Sequence, residues 1–326
     1  VSSKDLETSK ISVVIPVFNG ATSIGKVVTR VRDCLADGLL EVVLVNDGSR
    51  DDSEKVCRQL VSDSCGQVRL VQLARNFGEH SAVLAGLAHT RSDIVAVLDD
   101  DGQNPPEEIP RLLAGLQTHQ WDVVYGKYIQ RQHSWFRQLG SRFNDRVATI
   151  MLGKPSGLYL SSFKVMNRFM VDELLKYQGP FPYIDGLICR ASDRLGQVDV
   201  QHAARLSGES NYTLRRLVRL WLNMFVGFSI APLRLTSLIG FFFAISSLLW
   251  LIAIVIDKLW ITPGVTLGIP TVLACMALFS GVQFMVLGMI GEYLGRVFLT
   301  GSGQPQYIVR YAMEAPSPPA EDGQPA

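Results

Sequence analysis

Charged residues are missing from two long stretches of this chain, Leu235 to Ile256 and Ile269 to Ile290. Each stretch is about 22 residues, roughly 33 Å as a helix, against a bilayer core of about 30 Å. That match argues against a buried helical hairpin of a soluble protein and predicts two membrane helices. An excess of either charge is missing as well. Lysine and arginine number 31 and the acids 30, a net charge of +1 over 326 residues, and no nucleic-acid partner is expected. Cysteine is scarce. Cys34, Cys57, Cys65, Cys189 and Cys275 are odd in number and lack metal-ligand spacing, and the five histidines are scattered. This excludes zinc and disulfide frameworks as the organising chemistry, and the thiols are expected to be reduced and mostly buried. There is no internal repeat, and from the polar N-terminal stretch no cleavable signal peptide is expected.

The flanks of the two apolar stretches are basic: Arg215, Arg216, Arg219 and Arg234 precede the first, and Arg296 and Arg310 follow the second. The short connection holds only Asp257 and Lys258, with Pro263, Gly264 and Pro270 as turn formers. Basic flanks favour the cytoplasmic side, which predicts both long ends inside and the connection outside. Between Thr213 and Val226, Arg215, Arg216 and Arg219 lie among Leu214, Leu217, Leu220 and Trp221, the pattern of a basic amphipathic helix in the headgroup plane. The expected organisation is a cytoplasmic catalytic domain over 1–212, an interfacial region over 213–232 and two transmembrane helices over 233–292. A C-terminal segment over 293–326 completes it, its tail after Ala315 rich in proline and acids and expected to be disordered.

Ahead of the membrane region, short apolar runs alternate with helical spacing. Ile11 to Val17 ends at the turn signal Asn19-Gly20, and Leu40 to Val45 ends in Asn46-Asp47-Gly48-Ser49. Val68 to Leu73 and Ile94 to Leu98 are further runs, with helical patterns over Ala21 to Leu35 and Ser53 to Val61. The fold class predicted is α/β, a mostly parallel sheet with flanking helices. Ligands of such sheets bind beyond the carboxyl ends of the strands. Asn19, Asp47, Arg75 and Asp99-Asp100-Asp101 cluster at those ends.

Leu98-Asp99-Asp100-Asp101-Gly102-Gln103-Asn104-Pro105-Pro106-Glu107 is the most informative segment. Its carboxylates have no basic neighbour in sequence and repel one another unless a cation neutralises them. A few oxygen ligands suit Mg2+ or Mn2+ shared with substrate phosphates. Asp99 and Asp101 are placed to face one diphosphate, with Gln103 adding a neutral oxygen; a solvated acidic loop ahead of a helix is the plainer alternative. Asp47 suits a nucleobase N–H, against an ordinary turn in which Ser49 caps the helix beginning near Asp51. Arg75, in Arg75-Asn76-x-Gly78, suits phosphates.

Taken in order, Ile15-Pro16-Val17-Phe18-Asn19, Asp47-Gly48-Ser49, Arg75-Asn76-Phe77-Gly78 and Asp99-x-Asp101-x-Gln103-Asn104-Pro105-Pro106-Glu107 resemble the family 2 glycosyltransferases, and more narrowly the branch that glycosylates polyprenyl phosphates. The resemblance continues through Gly208-Glu209-Ser210 and Gly291-Glu292-Tyr293-Leu294-Gly295-Arg296. It implies a GT-A-type catalytic domain with a C-terminal two-helix transmembrane hairpin, in a bacterial inner membrane. By resemblance, the donor-binding set is Pro16, Phe18, Asn19, Asp47, Arg75, Asp99 and Asp100, and the metal set is Asp99, Asp101 and Gln103. Lys127, Arg131, Arg137 and Ser141 would grip the lipid phosphate. Arg205 would approach the phosphates as the site closes, joining Asp101 and Arg137 as catalytic residues. A homo-oligomer, a tetramer among relatives, is implied in the same way.

This chain departs from the family pattern at Gly20, where many relatives carry Glu, at Asn46, where many carry Asp, and at Asn211, where Lys is common. Leu158 to Ser162 lacks the Asp that some relatives place before their Phe-Arg pair, here Phe163-Lys164, so no catalytic base is carried over. None is required. A phosphate monoester has a second pKa near 6 and is largely dianionic at neutral pH, ready to attack the anomeric carbon. Cations and a metal then neutralise the leaving diphosphate. The expected reaction is transfer with inversion from a nucleotide sugar, with UDP the favoured nucleotide, to undecaprenyl phosphate. Segments 156–162 and Tyr183-Ile184-Asp185-Gly186 are expected to shape the sugar pocket. A polysaccharide synthase would bring more spans and a Gln-x-x-Arg-Trp motif, which is missing here. A non-catalytic nucleotide-sugar-binding scaffold is the rival from another class.

Overall fold

The computed structural model of the chain describes residues 10–128, 154–155, 157–179, 182–201, 269–301, 303 and 305–314, with scattered positions between 238 and 256. It divides into two compact units, one of Val1–Tyr212 with Gln304–Ala326 and one of Thr213–Gly303.

The first unit is built on runs of β-branched residues. β1 (Ile11–Val17), β2 (Leu39–Asn46), β3 (Val68–Leu73) and β4 (Ile94–Val97) are buried along nearly their whole length. Such runs form strands covered on both faces. β1 pairs in parallel with β2 and β4, and β2 in parallel with β3. Helices α1 (Ile24–Leu35), α2 (Ser53–Ser62), α3 (Glu79–Leu87) and α4 (Ile109–His119) connect or follow them. Beyond α4 come β5 (Val123–Tyr128), β6 (Lys164–Asn167), α5 (Arg168–Leu175), α6 (Ile184–Ala191) and β7 (Leu195–Val200). A last strand, β8 (Val309–Glu314), returns from the far end of the chain to pair antiparallel with β3.

The eight strands run in the order β7-β5-β6-β4-β1-β2-β3-β8. The expectation of a mostly parallel sheet is thereby refined. Four pairings are parallel, while β6 is antiparallel to both β4 and β5, and β8 to β3. Pro16 is accommodated in the central strand because pairing with β4 stops at Val14, so no ladder bond to β4 is lost where its N–H is missing.

One face of the sheet packs Val13, Ile15, Leu44, Leu70 and Val165 against Val27, Val28 and Val31 of α1, Cys57 and Val61 of α2, and Leu112 and Leu116 of α4. On the other face α3 is buried from Ser81 to Leu87. A Cβ at Gly86 would lie 2.4 Å from Val14 Cγ1, so this glycine lets the helix approach the strand. β8 is fastened by charge: Arg69 and Arg91 both bond Glu314, at 3.0 and 2.8 Å, and Arg69 also faces the buried Glu41 at 3.4 Å.

Two expectations change. The cysteines are free, but only Cys57 is buried; Cys65 and Cys275 are exposed. Ser49 does not cap α2, whose N-cap is Asp52.

The second unit contains α7 (Ile269–Gly301), 33 residues long and about 50 Å from end to end. Its exposed side chains include Met276, Phe279, Phe284, Met285, Leu287 and Ile290. Among the described residues no helix is long and apolar enough to cross a membrane. Of the two expected spans, 235–256 is described only at scattered positions, and several side chains of 269–290 are not described. The expected interfacial helix over 213–226 and the tail beyond 315 lie outside the described residues.

Candidate functional site

The parallel register brings the carboxyl ends of β1, β2, β3 and β4 side by side, Val17 opposite Asn46 and Asn46 opposite Gln72. Asn19, Asp47, Arg75 and Asp99 follow these strands in sequence, and their loops are stitched to one another. Asn19 turns the chain at φ +55°. Its N–H donates to Ser49 Oγ at 3.0 Å and its Oδ1 accepts from the Arg50 N–H at 2.9 Å. Asn46 continues the seam, donating from Nδ2 to Gln72 Oε1 at 2.7 Å and accepting from Ser49 Oγ at 2.6 Å. An Asp at position 46 would bring no donor for Gln72.

Asp47 is buried, and both of its oxygens are engaged. Oδ1 accepts from the Phe77 N–H at 2.7 Å and Oδ2 from the Gly78 N–H at 2.9 Å. Burial pushes its carboxyl up to about 6, against the pull of those two N–H groups. Asp47 therefore fixes the Arg75–Gly78 loop, and its remaining lone pairs can accept from a ligand. Gly48 serves the same closure. It stands at φ +62°, and a Cβ there would lie 2.6 Å from Arg75 C and Asn76 N. Arg75 is exposed, its guanidinium 4.8 Å from the Phe77 ring centroid.

The acidic run occupies the end of β4. Asp100 Oδ2 accepts from the Phe18 N–H at 3.1 Å. A Cβ at Gly20 would meet that same oxygen at 2.3 Å, so the departure at Gly20 makes room for Asp100. Asp99 Oδ2 accepts from Ser162 Oγ at 2.5 Å, and Asp101 Oδ1 from the Gln103 N–H at 3.0 Å. Burial first, and then the fields of Asp99 and Asp101, push Asp100 up to about 7. Asp99 is raised by burial and by Asp101, opposed by the Ser162 hydroxyl. Carboxylates gathered at one strand end repel one another, and they are the donor set a cation relieves.

Among the described residues no three His, Cys, Asp or Glu side chains converge into a complete metal cage. A Mg2+- or Mn2+-type site needs only one or two carboxylates, because substrate phosphates supply other ligands. Asp99 and Asp101 fit that requirement.

Lys127 is the last but one residue of β5, at the same edge. It is exposed, with Nζ 3.9 Å from Asp199 Oδ1, and β5 runs parallel to β4 because both are antiparallel to β6. Arg131, Arg137, Ser141 and Arg205 lie outside the described residues.

The structure adds contacts that the sequence did not reveal, two of them made by Ser162 and Asp185 from the segments expected to shape the sugar pocket. Lys164, at the start of β6 opposite Val97, is buried and ion-paired with the buried Asp185 near the start of α6. Tyr125 OH donates to the same Asp185 oxygen at 3.1 Å, and Lys164 Nζ lies 5.3 Å from the Tyr125 ring centroid. The available signal was a lysine in the apolar run Phe163-Lys164-Val165-Met166 and an aspartate in Ile184-Asp185-Gly186-Leu187. Ser162 holds Asp99, and Tyr128 OH donates to Asn104 Oδ1. A cavity of about 590 Å³ lined by Asp122, Phe169, Arg190 and Arg194 lies by the beginnings of β5 and β7, away from the acidic edge.

Residues 12–175 match the family described as Glycosyl transferase family 2. Undecaprenyl-phosphate 4-deoxy-4-formamido-L-arabinose transferase of Proteus mirabilis (strain HI4320) is 32% identical over 317 residues, covering 95% of this chain and 96% of that protein. The protein of the same name from Sodalis glossinidius (strain morsitans) is 34% identical over 312 residues, covering 94% of each. Among solved structures, glucosyl-3-phosphoglycerate synthase from Mycobacterium tuberculosis, in complex with Mn2+, uridine diphosphate and glucosyl-3-phosphoglycerate, superposes with a TM-score of 0.52 at 21% identity. The match covers 69% of this chain and 82% of that one. The likeness is one of fold: a mixed, mostly parallel GT-A-like sheet with flanking helices.

Proposed function

The chain belongs to glycosyl transferase family 2, and on that premise we propose that it transfers a sugar from a UDP-linked donor to undecaprenyl phosphate with inversion at the anomeric carbon. The observation that carries this reading is the acidic end of β4, Asp99-Asp100-Asp101, set beside the stitched ends of β1, β2 and β3. Similarity over 95% of the chain to transferases named for undecaprenyl phosphate supports the acceptor. A protein of the same fold holds Mn2+ with uridine diphosphate, which agrees with the donor and the metal.

Each candidate site residue has a task in this reading. Asp47 keeps the Arg75–Gly78 loop in place and offers a spare lone pair to the uracil N–H. Arg75, braced on Phe77, faces the phosphates. Asp99 and Asp101 hold the divalent cation with Gln103, and Ser162 keeps Asp99 turned toward it. When bound, the cation supplies charge neutralisation for the departing diphosphate. Asp100 anchors the Phe18 amide and so the floor under the nucleotide. Lys127, with Arg131, Arg137 and Ser141, grips the lipid phosphate, and Arg205 approaches the phosphates on closure. The acceptor phosphate is already dianionic near neutral pH, so the residues must align it, not deprotonate it.

The stretches 235–256 and 269–290 form a transmembrane hairpin in this reading, with the catalytic domain and C-terminus cytoplasmic in a bacterial inner membrane. The exposed apolar side chains of α7 support it. The isoprenoid tail then stays in lipid while its phosphate reaches the carboxyl edge of the sheet. The chain acts as a homo-oligomer.

The test is incubation with undecaprenyl phosphate, Mn2+ and radiolabelled UDP- and GDP-sugars. Label should enter the lipid phase from a UDP-sugar, with an anomeric configuration opposite to the donor's. Polymer formation, or binding without transfer, would overturn the proposal.

A further inference from the structure

Tyr159 is 37% exposed, yet the chain around it is fastened at several points. Gly157 turns the backbone at φ +82°. The buried Lys154 donates from Nζ to the Leu158 carbonyl at 2.8 Å, and the Tyr159 N–H donates to Gln197 Oε1 at 2.8 Å. Leu158 is buried, and three residues beyond Tyr159 comes Ser162, which holds Asp99. The Tyr159 ring stands edge to face with that of Tyr128, centroids 6.3 Å apart, and Tyr128 is bonded in turn to Asn104 of the acidic segment. A lone exposed aromatic needs no explanation. One held this closely to the acidic edge calls for a ligand.

The order of the strands says which part of a donor would meet it. The sheet runs β7-β5-β6-β4-β1-β2-β3-β8, with Asp99 at the end of β4. Asp47 and Arg75, assigned to the base and the phosphates, follow β2 and β3 on one side of it. On the other side, Tyr128 ends β5, Ser162 leads into β6 and Gln197 lies in β7. In a nucleotide sugar the diphosphate separates the base from the sugar. With the diphosphate at β4 and the base toward β2, the sugar falls over β6 and β5, where Tyr159 stands. A sugar ring carries a face of C–H groups between its hydroxyls, and a tyrosine offers it a flat, amphipathic surface with few torsions to freeze.

We propose that Tyr159 is the platform for the donor sugar, its ring stacking on the C–H face of the sugar while the nucleotide is held on the far side of Asp99. The inference rests on the transfer reading above, and it narrows the sugar-pocket segment 156–162 to one side chain.

The test uses the full-length chain in detergent with Mn2+, undecaprenyl phosphate and the radiolabelled UDP-sugar that labels lipid in the assay above, with UDP binding followed by titration calorimetry. Tyr159→Ala and Tyr159→Leu remove the ring, and Tyr159→Phe keeps it. The Ala and Leu variants should raise KM for the UDP-sugar by about threefold to tenfold, leaving UDP affinity and the KM for undecaprenyl phosphate unchanged. Tyr159→Phe should stay near wild type. Wild-type donor KM in the Ala variant would overturn the inference. So would an equal loss of UDP affinity, a loss as large in the Phe variant, or a rise confined to the KM for undecaprenyl phosphate, which would assign the ring to the acceptor. Should Tyr159→Ala fail to fold, the Leu and Phe pair decides by the same criteria. If the wild-type chain moved no sugar to lipid, the transfer reading would fail, and this inference with it.

Discussion

Lys164 and Asp185 form an ion pair whose side chains are 4% and 11% exposed, and removing one partner tests how the strand beside Asp99 is held. Lys164→Met keeps the aliphatic stem and deletes the ammonium. Asp185 would then keep only the Tyr125 hydroxyl of the two bonds described here. Leaving such a charge buried and unpaired costs about 3–5 kcal/mol. By contrast, Lys164→Met with Asp185→Leu replaces the pair by apolar groups of similar bulk, which is often neutral or stabilising. The assay is hydrogen exchange of the β6 and α6 amides in the full-length chain in detergent, with urea unfolding as a check. The single variant should speed exchange by between about a hundredfold and a few thousandfold, and the double variant should return near the wild-type rate. If the single variant cost less than about 1 kcal/mol, or the double variant lost the sum of both singles, the two groups would not be the coupled pair described.

Other outcomes follow from the strand ends. Asp47 has a carboxyl raised from 3.8 to about 6, so the folded state holds its proton more tightly than the unfolded chain. Its stabilising contribution is full below about pH 4 and is lost as pH rises through 6, amounting to about 3 kcal/mol. The stability of Asp47→Asn minus that of wild type should therefore increase between pH 4 and pH 7 in urea unfolding, and a flat difference would refute the burial argument. Gly48→Ala forces a side chain into φ +62° with a Cβ 2.6 Å from backbone atoms of Arg75 and Asn76. It should cost about 2–3 kcal/mol and weaken UDP binding; an unchanged unfolding midpoint would contradict the geometry. Gly20→Ala meets only the end of Asp100, which can swing aside. It should shift stability by less than about 1 kcal/mol while raising KM for the donor several-fold, and an unchanged KM would count against Asp100 as the anchor of the nucleotide floor.

Much of the frame was legible because apolar β-branched runs bounded by turn residues have few alternatives. Ile11 to Val17 and Val68 to Leu73 are strands over those same residues. The helix expected from Ala21 begins at Ile24, because the chain first turns through Gly20. What escaped the sequence depends on distant partners. β6 is four residues long and antiparallel to both neighbours, and its opening Lys164 reads as a surface residue until Asp185 arrives from α6. β8 joins β3 from the other end of the chain through Glu314 and Arg69. In the site, the acidic run was plain in sequence. Its support was not: Ser162 lies 63 positions from Asp99 and Tyr128 lies 24 from Asn104. Ser49 looked like a helix cap and instead joins two strand ends.

The central claim is that a divalent cation joins Asp99 and Asp101 to the diphosphate of the donor. Its most direct measurement is lipid glycosylation by the purified chain after exhaustive chelation, followed by readdition of Mn2+. Transfer should fall to background, return with Mn2+, and stay at background in Asp101→Ala even when metal is saturating and the protein is folded. Full-rate transfer in the chelated wild-type chain would contradict the claim.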